Sequence, residues 1–197
     1  MIALGRKAGP RLTDRRRRRF LAGAVALPFA GRAAAALVPT PACGPQAAAT
    51  PGQTEGPYFL PGSPERASLL EPDSPPERLT LDGDVVLRDC RPAAGALLEF
   101  WHCDDRGLYD GTGYRYRGHQ FSDRNGRFRL ETIFPAIYPG RARHIHVKVQ
   151  APHGPVLTTQ LYFPGDARDG LWRRELVVAL SRAGAARQAA FRFIVEA

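Results

Sequence analysis

The sequence predicts an all-β protein, a single antiparallel β-sandwich with long loops and little helix. Three observations point there. Six short runs alternate apolar and polar residues at period two, the mark of a strand with one buried face. Eighteen prolines and twenty glycines in 197 residues divide the chain into short elements joined by turns. The hydrophobic fraction of 44% excludes a disordered chain, and the length suits one domain with a substantial core plus something extra.

In chain order the runs are LTLDGDVVL (79–87), LLEFWHC (97–103), RFRLETIF (127–134), HIHVKVQ (144–150), VLTTQLYF (156–163) and AFRFIVE (190–196). Each is rich in β-branched and aromatic residues, which suit a pleated, half-buried surface. Asp123-Arg124-Asn125-Gly126 is a hairpin signal, because Asn-Gly accepts positive φ. Helical periodicity is weak, and only GLWRRELVVALSRAG (170–184) offers a helix candidate. There is no internal repeat.

The 28 basic and 19 acidic residues give a formal charge of +9, which invites a nucleic-acid reading until it is placed along the chain. Nine of the basic residues and one acidic residue, Asp14, lie before Ala33, so that segment carries +8. The remaining 19 basic and 18 acidic residues leave a nearly neutral body, and a phosphate-binding surface is not supported. Residues 1–36 read as an export signal: a basic run, an apolar stretch from Phe20 to about Gly31, then small residues that allow an A-x-A type cut. About twelve apolar residues are too few to span a bilayer, so stable membrane insertion is not expected. Arg17-Arg18-Arg19-Phe20-Leu21 resembles the twin-arginine signal, whose clients cross the membrane already folded, so the protein is expected outside the cytoplasm, periplasmic or extracellular. Residues 37–53, rich in Ala, Pro, Thr and Gly, read as a linker, and 54–197 as the folded domain.

Three cysteines, Cys43, Cys90 and Cys103, allow three pairings, of which Cys90–Cys103 is one, and sequence alone does not choose. No C-x-x-C occurs, which disfavours a thiolate zinc site.

Within HIHVKVQ side chains alternate, so Ile145, Val147 and Val149 face the core while His144, His146, Lys148 and Gln150 face the other way. Two imidazoles side by side could chelate one ion, although H-x-H alone also describes two half-exposed histidines. Zinc would want a further His, Cys or carboxylate, and a non-haem Fe(II) site would want one carboxylate. The nearest extra donor is instead Tyr138 in a Pro-Gly bend, and a phenolate is a hard anionic oxygen that suits Fe(III).

These residues bring the chain into resemblance with the intradiol ring-cleavage dioxygenases, the family of catechol 1,2-dioxygenase and protocatechuate 3,4-dioxygenase. Its H-[IV]-H strand matches His144 and His146, with Tyr138 the nearer tyrosine. A longer signature matches LDGDVVLRDCRPAAGALLEFWHCDDRGLY, placing Leu81, Gly83, Val85, Leu98, Glu99, Phe100, Gly107 and Tyr109 where the pattern wants them. Cys90 departs from it, since glycine or serine is usual there. TEGPYFLP (54–61) resembles the family's pocket-lining segment, and TTQLYFPGD (158–166) adds a further match. The long N-terminal helical region of catechol 1,2-dioxygenases is missing, and the Tyr138–His144 interval is short, so the chain is most similar to the compact, secreted members.

The resemblance implies one non-haem Fe(III), held in plane by Tyr109 and His144 and axially by Tyr138 and His146. It implies a catechol substrate and O2, with cleavage between the two hydroxyls to a muconate-type diacid. Arg141, matching R-x-x-H, would stabilise charge on the activated ring, with Arg143 as competitor in the shortened loop; Tyr138 would take a substrate proton; Gln160 would lie near the substrate. Gly56, Pro57 and Tyr58 would form pocket wall. The implied partners are the small-molecule substrate, O2 and the twin-arginine export machinery; a homo-oligomer is compatible with the sequence. Two rivals stand beside this: a β-sandwich binding module without the chemistry, and a zinc or copper protein built on the H-x-H pair. His102, His119, His153, Asp104 and Asp105 read as structural.

Overall fold

The computed structural model describes residues 48–166, 169–184 and 186–197. The expected export signal and most of the expected linker lie outside the described residues.

Eight strands build two four-stranded sheets. They are β1 (Arg78–Leu87), β2 (Leu97–Trp101), β3 (Arg117–Phe121), β4 (Arg127–Ile133), β5 (His144–Gln150), β6 (Leu157–Tyr162), β7 (Ala179–Ala183) and β8 (Ala186–Val195). One sheet runs β4-β1-β8-β7 and the other β3-β2-β5-β6. The inner faces meet in a core that includes Leu81, Val85, Leu98, Phe100, Leu130, Ile145, Val147 and Phe193, all 1% exposed or less. Burying a side chain of this size contributes about 1.5–3 kcal/mol, so the period-two pattern of each strand is also the main source of its stability.

The β-sandwich is as the sequence predicts, with four corrections of detail. Strand β8 pairs parallel with β1, from Leu79↔Arg187 to Leu87↔Val195, so the sandwich is mixed; the other five ladders are antiparallel. The Asn125-Gly126 turn closes as expected, with Gly126 at φ +74 and Gly126 N–H donating to Asp123 O (2.9 Å). It is not a hairpin, however: β3 and β4 belong to different sheets, and the turn carries the chain across the sandwich. The helix candidate at 170–184 is only a 3-10 turn, Arg174–Leu176, followed by β7. Its Val177-Val178 pair disfavours a helix, and Leu176 and Val178 are buried at alternate positions, as in an extended chain. Finally, Cys103 is a free buried thiol, so the Cys90–Cys103 bridge does not form.

Strand β3 had no signal in the sequence. RGHQF lacks apolar alternation, yet it completes the edge beside β2, pairing Trp101 with Arg117 and Glu99 with His119. Upstream, Thr50 is tied to β8 by Thr50 N–H to Ile194 O and Ile194 N–H to Thr50 Oγ1, both 2.9 Å. Gln53 N–H donates to Thr158 O (2.8 Å) on β6. These bonds lead residues 50–54 along the sheet edge, and the next few residues pass over the outer face of β5. Among the described residues no helix is long and apolar enough to cross a membrane.

Candidate metal centre

Strand β5 faces its apolar residues inward and its histidines outward, yet both imidazoles are buried, at 2% and 3% exposure. What covers them is a set of loops. Trp101 at the end of β2 lies flat on the His146 ring, with centroids 4.8 Å apart and planes 8° from parallel. Gly56 sits against the same ring: a Cβ added there would lie 3.4 Å from His146 Cε1. Tyr58 stacks on Tyr109 at 4.4 Å and 5°.

Two turns deliver the predicted tyrosines. After β2, Asp104 folds the chain back by accepting N–H bonds from Arg106 (2.9 Å) and Leu108 (2.8 Å) on Oδ1. Gly107, at φ +81, then sets Tyr109 toward β5. Before β5, Pro139-Gly140 fill the centre of a β-turn with Gly140 at φ +78, closed by Arg141 N–H to Tyr138 O (3.0 Å). The two turns touch, because a Cβ on Gly107 would meet Ile137 O at 2.6 Å.

Three donor atoms converge. His144 Nε2 is 3.1 Å from His146 Nε2 and 3.1 Å from Tyr109 Oη. Ligands about 2.0–2.2 Å from one ion and at right angles would lie about 3 Å apart, so this spacing suits a shared ion. The tautomer also fits: His144 Nδ1–H donates to Ala142 O (2.6 Å), which leaves Nε2 bare as a donor to metal. Among the described residues His146 Nδ1 is buried without a partner. The fourth predicted group, Tyr138, places its ring 5.6 Å from that of Tyr109, and its hydroxyl is 3.0 Å from Tyr58 Oη. Among the described residues no group of three His, Cys, Asp or Glu side chains could hold a metal ion, so the oxygen donors beside the imidazoles are phenols.

The electrostatics favour neutral imidazoles and a protonated Tyr109. Burial, partly offset by the Ala142 hydrogen bond, lowers His144 to about 4. Burial, with His144, Arg141 and Arg117 nearby, holds His146 well below the usual histidine range. Tyr109 is pushed up by burial, while the positive charges of Arg141 and Arg117 pull the other way. The hydrogen bond shared with Tyr138 raises Tyr58.

Arg141 and Arg143 part company. Arg141 donates from Nε to Asp169 Oδ2 (2.7 Å) and from Nη2 to Gln160 Oε1 (2.6 Å), and its charge is felt by His144, His146 and Tyr109. Arg143 turns away to Asp166, the Pro135 carbonyl and the Phe134 ring. Gln160 is completely buried, and its amide is committed at both ends, since Nε2 donates to Thr54 O (2.8 Å). Pro57 is exposed beside Gly56.

Sequence reasoning missed Trp101, Asp169 and Arg117. Arg117 is 2% exposed and donates to Tyr58 O and Asp110 O, both at 2.5 Å, gripping the backbone beside the two stacked tyrosines. A buried arginine in GYRYRG carries no local signal, and only the tertiary fold reveals it. Two of the residues set aside as structural, His102 and Asp104, have structural partners. His102 bonds Thr132 Oγ1 and Cys103 O, each at 2.7 Å, and Asp104 builds its turn.

The chain matches the family described as Dioxygenase over residues 54–190. Among solved structures it is similar to the dioxygenase domain of a dioxygenase carbohydrate-binding protein fusion from Streptomyces sp. SirexAA-E. That pair shares 51% identity at a TM-score of 0.74, covering 76% of this chain and 99% of the other. It is also similar to 3-chlorocatechol 1,2-dioxygenase from Rhodococcus opacus 1CP, with 28% identity, a TM-score of 0.71 and coverage of 75% and 73%. A curated relative, chlorocatechol 1,2-dioxygenase of Pseudomonas sp. (strain P51), is 33% identical over 136 residues, 56% of this chain and 54% of that one. The chain spans about half the length of the curated relatives it matches.

Proposed function

The chain belongs to the intradiol ring-cleavage dioxygenase family, and on that premise we propose that it uses non-haem Fe(III) and O2 to open a catechol-type ring between its hydroxyls, giving a muconate-type diacid. The observation that carries the reading is that Tyr109 Oη and His146 Nε2 each lie 3.1 Å from His144 Nε2, with a second tyrosine, Tyr138, against the first. Tyr109, Tyr138, His144 and His146 would hold the ion. An Fe(III) held there would supply a Lewis acid that the catechol chelates as a dianion, which would make a ring carbon open to O2.

The chain's own residues do the rest. Arg141 is fixed in direction by Asp169 and Gln160, so its guanidinium can favour negative charge on the ring without reorganising. Tyr138 Oη, already hydrogen-bonded to Tyr58 Oη, would take a substrate proton. Gly56 keeps the space beside His146 open, and Tyr58 walls the pocket by lying on Tyr109. Residues 1–36 would serve as a twin-arginine export signal, residues 37–53 as linker, and 54–197 as the domain that carries the chemistry, acting outside the cytoplasm as a compact, secreted member.

Colour tests the proposal. Iron-loaded protein is expected to be red-brown from tyrosinate-to-ferric charge transfer, and a colourless iron-loaded preparation overturns the assignment of the tyrosines. His144→Ala is expected to lose iron, and Tyr138→Phe to keep it while turning over slowly. Products from fission beside the diol, instead of between its hydroxyls, would place the reaction in another class.

A further inference from the structure

We propose that Lys148 is a positioning residue that holds the pocket wall over the metal centre. The inference rests on the function proposed above, and it starts from a gap in the backbone bonding. Residues 50–54 are laced to β6 and β8 by main-chain bonds, but among the described residues no backbone–backbone bond ties 55–60 to a strand. Yet this stretch brings Gly56 to His146 and Tyr58 to Tyr109.

Lys148 supplies much of the missing attachment. It shares the outer face of β5 with His144 and His146, two residues further on. Its Nζ lies 2.5 Å from Glu55 Oε2 and 3.5 Å from the centroid of the Phe59 ring. Glu55 and Phe59 bracket the three residues Gly56, Pro57 and Tyr58, so one ammonium grips both ends of the wall. The grip reaches the site by packing as well: Phe59 lies against Trp101 at 5.1 Å, and Trp101 stacks on His146. An exposed ion pair alone would do little. Lys148 is instead only 21% exposed along its side chain, and a cation on a ring is worth more when partly desolvated. Lys148 touches neither the converging donor atoms nor Arg141 in this arrangement; it acts through the segment it holds.

The test uses the full chain and reads the wall directly. Chymotrypsin cuts after Tyr58 and Phe59, and mass spectrometry locates the cuts. Lys148→Met keeps the apolar stem without the charge, Glu55→Gln removes the partner charge, and Lys148→Arg restores both contacts. Cleavage at 58–60 is expected to quicken by about tenfold in Lys148→Met and Glu55→Gln, as local opening becomes easier, and to return to the wild-type rate in Lys148→Arg. In the iron-loaded enzyme the first two variants should keep their iron and show raised KM for catechol with kcat within about twofold, the pattern of lost uniform binding. Wild-type cleavage rates in both variants, or no rescue by Lys148→Arg, overturn the proposal; should Lys148→Met fail to fold, Glu55→Gln decides alone. A wild type that binds no iron would sink the proposed function while leaving the cleavage comparison free to judge the clamp.

Discussion

His102 shows what a single buried side chain demands. It is 1% exposed, and its bonds suit the neutral tautomer, with Nδ1–H given to Cys103 O and Nε2 free to accept from the Thr132 hydroxyl. Burial therefore lowers it to about 4. Above about pH 6.5 it is neutral folded or unfolded and stability does not depend on it. As pH falls toward 4 only the unfolded chain takes the proton, and the folded state loses about 3 kcal/mol, on the order of 1.4 for each pH unit crossed. In His102→Gln that loss is missing. Urea titrations should find the variant less stable at pH 7.5, with the gap to wild type narrowing by pH 4.5; a gap that stays constant or widens counts against a buried neutral imidazole. The structural role of His102 was legible in the sequence because strand alternation sets it off the register of His144 and His146. The same local rule is blind to Arg117 and Asp169, whose partners lie at Tyr58 and Asp110, and at Arg141, across loops that no periodicity describes.

At the scale of the element, β5 was legible to its ends, since both its pattern and its bounds, His144–Gln150, follow from period two. Strands β3 and β7 were not, because their sequences lack alternation and they form by pairing with β2 and β8. The turns that aim the tyrosines lie between these cases: their glycines announce a bend, but only the fold shows that the two bends touch. Gly107→Ala makes that contact testable. The new Cβ would sit 2.6 Å from Ile137 O, forcing the Tyr109 and Tyr138 turns apart. Gly184→Ala, between β7 and β8, carries the same strain of positive φ, at +65 against +81, but among the described residues meets nothing within 4 Å. Both should lose about 1–2 kcal/mol to left-handed strain. Gly107→Ala should lose more, and it alone should weaken the ferric charge-transfer band at fixed iron concentration. Equal bands in the two variants would mean that the turns do not depend on each other.

Across the whole molecule, the parallel pairing of β1 with β8 joins residues more than 100 positions apart, and no short-range pattern encodes it. Charge, by contrast, is distributed in a way the sequence displays openly: +8 before Ala33 and +1 over everything after. A neutral body with a basic leader reads as a domain plus an address. The donor atoms explain why that address would be of the twin-arginine type. They come from Tyr109, Tyr138 and β5, segments separate in the chain and brought together by the fold, so an ion gathered before export would require the chain to cross already folded. Arg17→Lys with Arg18→Lys keeps the leader's charge and removes the guanidinium pair that Arg19 separates from Phe20, while Arg15 and Arg16 stay outside that register. After cell fractionation the double variant should stay in the cytoplasm, folded and loaded with iron. A route for unfolded chains, which reads charge and hydrophobic length, would export it as before, and export of the variant at the wild-type level would rule out the twin-arginine assignment.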